Sequence, residues 1–372
     1  MNNTEQTYFQ VLRNYFWAES APIDAGTEVE ALIQLAARQG TLPILADYAL
    51  KPEFGVELSA AQRMMMRQAA MQQMLHQQKL RMYLRMVKEC LDKADIPFVV
   101  LKGEGLAPLY PNPDVRSMSD VDIWVGQERF HDACHVLRTL PDVLTEDKQE
   151  EEGTRHFNLH WENAQYVIEV HPVTHAFPSR RENKRYQAWE RDSIYEAQST
   201  ISIEGCTYHV PNSRFNMLYI FLHAWHHYLS EGMQMKQIID WVLVLHQYAL
   251  QLGKSSADPQ LEQDLQFYHL IEPWQVFGWI AVHELGLPIE EMPLYSEKPD
   301  VIQKAHRLLE YILHSDQRNY LCSKQRGSGL IHKFITLHFM HLDYKTTKQI
   351  FPSYARHHLW STVATSVRKM GM

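Results

Sequence analysis

Between Val56 and Ile96 the chain contains neither glycine nor proline, and its texture then changes abruptly to Pro97-Phe98-Val99-Val100-Leu101-Lys102-Gly103. This boundary restricts the possible folds more than any other feature. A stretch of that length without a breaker, with apolar residues at Met71, Met74, Leu75, Met82 and Met86, has the period of one amphipathic helix. Its methionine stripe is expected to pack into a core rather than to form an adaptable binding groove. The β-branched run that follows, closed by a glycine, reads as a buried strand.

Downstream, residues 104–110 suit one short helix, and Pro111 to Asp120 is turn-rich. Val121–Val125 reads as a second strand and 127–140 as a helix. His156–Trp161 and Tyr166–His171 are strand candidates joined by a turn at Glu162–Gln165, and two shorter strands are expected near Thr200–Ile203 and Thr207–Val210. From Ser213 helical signals return, with Asn212 or Ser213 as the cap and prolines punctuating the later segments. Helices, then a small mixed sheet, then helices imply an α+β protein. The expected organisation is an N-terminal helical region at 1–94, a sheet domain at 95–211 and a C-terminal helical domain at 212–372.

Composition narrows the function classes. The net charge is −8 over 372 residues, so the basic excess that neutralises phosphates in non-specific nucleic-acid binding is missing from the chain as a whole. Bulk nucleic acid is thus a disfavoured partner. The four cysteines (Cys90, Cys134, Cys206, Cys322) are scattered with no CxxC pair, which argues for reduced thiols and against a thiolate zinc site. The N-terminus shows no secretory leader, and no stretch approaches 18 consecutive apolar residues. A soluble, cytoplasmic protein is expected.

The chemistry is concentrated in Asp120-Val121-Asp122-Ile123-Trp124-Val125. In a strand, residues two apart share a face, so Asp120 and Asp122 stand side by side while Val121, Ile123 and Val125 face a core. Adjacent carboxylates repel and raise each other's pKa, and a divalent cation relieves the repulsion. Hard oxygen ligands suit Mg²⁺, with Mn²⁺ as the alternative, the shell being completed by water and substrate phosphates. Glu169 is a third acid, set in the β-branched run Tyr166-Val167-Ile168-Glu169-Val170-His171, where an unpartnered charge is costly. On a strand beside the first pair it would join them in holding metal, and His171 would share its face.

The run Leu101-Lys102-Gly103, then Leu109-Tyr110-Pro111, then Arg116 to Val125 and Ile168-Glu169-Val170-His171 resembles the uncharacterised bacterial nucleotidyltransferases of the polymerase-beta-like superfamily. The resemblance spans roughly residues 60–245, is most specific at Leu101–Val125, and continues in Glu231–Trp241. It implies a small palm-like mixed sheet in which a glycine turn, here Gly103, approaches a triphosphate. Asp120 and Asp122 would then bind metal, and Glu169 would bind metal or act as base toward an acceptor hydroxyl. It also implies an NTP substrate, an acceptor that the sequence does not identify, and pyrophosphate release. The chain departs from the superfamily in following Gly103 with Glu104, where a small or hydroxyl-bearing residue is usual. Glu104 is expected to point away from the phosphates, with Lys102 compensating as a point charge.

Further candidates have two readings each. Arg116 can bind phosphate through paired donors or bridge to a nearby carboxylate. His223, His226 and His227 share a helix face, but Ala224-Trp225-His226 lacks the glutamate of the metalloprotease motif, so nucleotide contact or packing remains. Lys236 and Asp240, four apart, can line the nucleotide site or form a surface ion pair. Trp225 and Trp241 can stack on a base or fill a core. Against nucleotidyl transfer stand two rivals: a nucleotide-binding module without turnover, and a metal-dependent phosphohydrolase built on the His and Asp residues.

Overall fold

The computed structural model describes residues 1–24, 26–145, 156–196, 198–230, 232–252, 258–314 and 344–359. They divide into two units, one formed by Met1–Ile33, Thr41–Thr174 and Gln187–Asn216, the other by Gln34–Gly40, His175–Tyr186 and Met217–Met372. Along the chain run α1 (Asn3–Trp17), α2 (Val29–Arg38), α3 (Leu42–Ala49), α4 (Ala60–Lys93), β1 (Val99–Leu101), α5 (Lys102–Leu106), β2 (Asp120–Trp124) and α6 (Gly126–Leu137). There follow β3 (Phe157–Trp161), β4 (Tyr166–His171), α7 (Arg180–Glu196), β5 (Gln198–Ile203) and β6 (Cys206–Pro211). The second unit continues with α8 (Ser213–Ser230), α9 (Met235–Leu252), α10 (Pro259–Phe267), α11 (Ile271–His283) and α12 (Pro299–His314), and residues 344–350 and 352–359 are helical. The fold is α+β. No described helix is long and apolar enough to cross a membrane. Cys90, Cys134 and Cys206 are free thiols, and Cys322 lies outside the described residues.

In the first unit a four-stranded sheet has the order β1-β2-β4-β3. β1 is antiparallel to β2 and β3 to β4, while β2 and β4 run parallel. The parallel pair is reached by a crossover through α6, as parallel neighbours require. β5 and β6 form a separate hairpin. Its two-residue turn, Glu204-Gly205, has φ of 49° and 79°, the mirror-image turn that matches strand twist and that glycine makes easily.

α4 supplies the floor of the sheet. Ser59 and Gln62 form a reciprocal capping box at its start, and its 34 residues reach roughly 50 Å. Leu80, Tyr83, Leu84, Val87 and Leu91 are buried against Val121, Ile123, Val125, Ile168 and Val170. Tyr83 stacks on Trp161 with ring centroids 4.6 Å apart, and its hydroxyl donates to Glu162 in the β3–β4 turn at 2.8 Å. Of the methionine stripe only Met86 packs against this core: Met71, Leu75 and Met82 are 59%, 52% and 42% exposed, and Met74 is 36% exposed. The helical period was read correctly but its phase was not. Apolar residues are spread around α4, so the sheet, not the sequence, selects the buried face.

α7 is an element that the sequence pattern did not suggest. Its buried positions fall every four residues at Glu182, Tyr186, Glu190 and Ile194, and two of the four are acids. A stripe that alternates apolar and charged residues gives no amphipathic signal.

Because the sheet contacts one face of α4, Leu84→Ala is expected to lower stability by about 3 kcal/mol. Met71→Gln is expected to change it by no more than about 0.5 kcal/mol. Urea denaturation of both variants checks this, and a reversed ranking would place the core on the other face.

Candidate active site

Strand register assembles the site within the first unit. Asp122 pairs with Leu101 on β1 and with Glu169 on β4, and Glu169 pairs with Asn158 on β3. Directly paired residues share a face, so this row crosses the sheet on the side opposite the α4 core. Trp124 pairs with His171 one step along the same face. Asp120 stands two residues before Asp122, and one ligand atom from each of Asp120, Asp122 and Glu169 lies within 4.8 Å of the others. His156, Glu169 and His171 satisfy the same criterion, so Glu169 belongs to both groups.

Asp122 is 1% exposed and is held on both oxygens. Lys102 Nζ lies 2.9 Å from Oδ2, and His171 Nε2 lies 2.8 Å from Oδ1 and 3.4 Å from a Glu169 oxygen. Burial would raise the Asp122 pKa, but Lys102 and His171 hold it well below the carboxylate range. For Asp122 the elevation expected of a paired acid is therefore reversed by two cations whose positions the D-x-D spacing did not reveal. Burial disfavours the imidazolium of His171, yet Asp122 and Glu169 hold its pKa up to about 9. Burial and Asp122 push Glu169 up, and the hydrogen bond and charge of His171 together with the charge of Lys102 outweigh them, leaving it below its ordinary value. Burial pushes His156 down.

The first two residues of α5, directly after β1, form a non-helical turn beside this row. Lys102 and Gly103 both have positive φ, 26° and 28°. Gly103 lies beside the Asp120 carbonyl, the Met118 thioether and the Arg116 guanidinium, each 3.6–4.0 Å from where a Cβ would stand. A side chain there would be strained by the backbone more than by its neighbours.

The model of a family described as uncharacterised nucleotidyltransferase matches residues 25–263. The chain belongs to this nucleotidyltransferase family. The match begins earlier and ends later than the motifs alone indicated. Among solved structures, an antigenic nucleotidyltransferase-like protein from Paracoccidioides brasiliensis is similar over 45% of this chain and 75% of that one, at 16% identity and a TM-score of 0.30. No curated protein matches the chain.

In this nucleotidyltransferase, Glu104 is 1% exposed and bound at 3.0 Å by Arg81 from α4, which also holds Asp114 at 2.8 Å. Burial nevertheless raises the Glu104 pKa. The acid that follows Gly103 is thus tied to α4. Arg116 is buried, and its carbonyl accepts from the Gln73 and Gln77 side chains of α4. Glu190, which the sequence did not single out, is 2% exposed and accepts from the Thr174 backbone N–H and hydroxyl just beyond β4. Burial raises its pKa to about 7 against the hydrogen bonds from Thr174 and Trp124.

His223, Lys236 and Asp240 belong to the second unit. His223 Nε2 lies 3.1 Å from His227 Nε2 along α8, and Asp240 is buried on α9. Trp225 and Trp241 are core residues of that unit. Trp225 packs among Tyr228, Phe277, Phe351 and Tyr354. Trp241 donates its indole N–H to the Met217 carbonyl at 3.1 Å.

Two outcomes follow. Arg81→Met leaves Glu104 buried without its partner and is expected to destabilise the protein by about 3 kcal/mol, with Glu104→Gln in the same chain recovering part of the loss, as chemical denaturation would measure. Glu190 binds its proton more tightly folded than unfolded, so through this group stability falls as pH rises from 4.5 toward 7. Glu190→Gln lacks that titration. Its stability relative to the parent protein is expected to improve by up to about 3 kcal/mol across this window, a trend that denaturation curves at pH 4.5 and 7.5 would reveal.

Proposed function

We propose that this protein is a Mg²⁺-dependent enzyme that moves a nucleoside monophosphate from an NTP to a hydroxyl-bearing acceptor, a small molecule, a sugar or a protein, with release of pyrophosphate. The observation that carries the reading is the meeting of Asp120, Asp122 and Glu169 on the in-register strands β2 and β4, beneath the Gly103 turn. Membership of the nucleotidyltransferase family supports the general reaction.

The donor set suits the ion. Asp120, Asp122 and Glu169, with one oxygen each within 4.8 Å of the others, would hold it as the hard oxygen donors that Mg²⁺ prefers. A carboxylate offers about four lone-pair positions, and Lys102 and His171 use two of those on Asp122. Mg²⁺, with Mn²⁺ as a substitute, would neutralise the triphosphate and ease ionisation of the acceptor hydroxyl.

The chain's own residues do the rest. Lys102 and His171 fix the orientation of Asp122 in advance, which saves ordering it during the reaction. Glu169, held below its ordinary pKa, is better suited as a ligand than as a general base. The Gly103 turn lets backbone come close to a phosphate, with Arg116 beside it as a candidate paired donor. Tying Glu104 to Arg81 keeps an acid from opposing the triphosphate.

A second reading, nucleotide binding without turnover, is favoured by the contacts of Lys102 and His171 with both oxygens of Asp122. Both readings are tested with the full chain, Mg²⁺ and each α-labelled NTP over a panel of acceptors. Nucleotidyl transfer predicts labelled product and pyrophosphate, with Asp122→Asn slowing the reaction on the order of a thousandfold, the equivalent of about 4 kcal/mol of lost charge stabilisation. Tight nucleotide binding with no product from any acceptor would favour the second reading.

A further inference from the structure

The second unit contains a different donor set. Glu182 from the first turn of α7, His269 just beyond α10 and His357 from the helical residues 352–359 bring one ligand atom each within 4.8 Å of one another. His357 Nε2 lies 2.6 Å from a Glu182 oxygen. The His269 and His357 rings have centroids 4.0 Å apart with their planes inclined by 39°. The Glu182 carboxylate is 7% exposed, His357 is 29% exposed, and His269 is exposed. The group thus has a buried anionic end and an open imidazole end.

We propose that Glu182, His269 and His357 form a binding site for a borderline divalent transition metal, Zn²⁺ foremost. This goes beyond nucleotidyl transfer and does not depend on it. Two imidazoles and one carboxylate from three separate elements are the mixed nitrogen and oxygen set that Zn²⁺ accepts, and three protein ligands leave one position of a tetrahedron for solvent or another ligand. Ligand atoms on one tetrahedral Zn²⁺ stand about 3.3 Å apart, given bonds of 2.0–2.1 Å. Reaching that spacing requires the His357–Glu182 hydrogen bond to open by less than an ångström and His269 to draw inward. His269 can do so because its ring is at the surface.

The electrostatics of this set differ from those of the carboxylate row. There, Lys102 and His171 already supply positive charge to the acids. Here, burial raises Glu182 to about 7, against the attraction of His269 and Arg181. Burial also pushes His269 and His357 down, toward the neutral form whose lone pairs bind metal. A bound cation supplies the charge that lets a buried carboxylate ionise. It also explains why α7 has an acid on its buried stripe at Glu182. Mg²⁺ is a poor match, since it prefers oxygen donors and keeps its water.

The test uses the full chain without a polyhistidine tag, stripped with EDTA and titrated with Zn²⁺ against a chromophoric competitor. A parallel titration follows the visible absorption of Co²⁺. One equivalent of tightly held Zn²⁺ and a four-coordinate Co²⁺ spectrum are expected, neither displaced by millimolar Mg²⁺. His269→Ala and His357→Ala should each weaken Zn²⁺ binding by roughly a hundredfold. Asp122→Asn and His171→Ala should leave it unchanged. Should His357→Ala unfold, as judged by circular dichroism, the surface variant His269→Ala decides alone. Failure to bind Zn²⁺ or Co²⁺, binding that survives loss of His269, or binding that disappears with His171→Ala would each overturn the assignment.

Discussion

Two like charges are set side by side by the register of two strands. Parallel neighbours lie about 4.8 Å apart, and at an effective dielectric constant near 20 two carboxylates at that separation repel by about 3 kcal/mol. That is a large fraction of the stability of an ordinary domain. Asp122 and Glu169 are nonetheless held at paired positions on β2 and β4. Lys102 on one side and the shared Nε2 of His171 on the other offset the repulsion. The start of α5 delivers Lys102 and strand β4 delivers His171, so the same sheet that sets the acids side by side also brings the cations that offset them.

Buried acids recur through the molecule, each with a different partner. Glu104 is paired with Arg81, which anchors the glycine turn to α4. Glu190 caps the Thr174 N–H and hydroxyl, fixing the chain as it leaves β4. Glu182 faces two imidazoles. A buried carboxylate without such contacts would lose several kcal/mol of solvation, so each position marks a place where the chain has built a specific polar contact.

Much of the sheet was legible in local pattern. The β-branched run ending at Gly103, the alternation around Asp122 and the acid within an apolar strand at Glu169 each identified a strand and a chemical face, because strand periodicity is a property of neighbouring residues. The β3–β4 hairpin was similarly marked by its turn at Glu162–Gln165. The phase of α4 was not legible, since methionines lie around most of its circumference and only contact with the sheet distinguishes Leu84 from Met71. α7 was invisible for a related reason: its buried stripe is half acidic, and an acid becomes acceptable in a core only when its partner, distant in sequence, is in place.

By itself, then, the sequence determined the order of helices and strands, the two-residue spacing that puts Asp120 and Asp122 on one face, and the breaker-free length that makes α4 a single helix. These follow from backbone periodicity and local propensity, which act over a few residues. Tertiary structure alone decided that β2 and β4 run parallel in register, that Lys102 and His171 meet on Asp122, and that Glu182, His269 and His357 converge from positions nearly ninety residues apart. Such meetings depend on burial and on charges compensating one another across the fold, and no window along the chain contains both members of the pair.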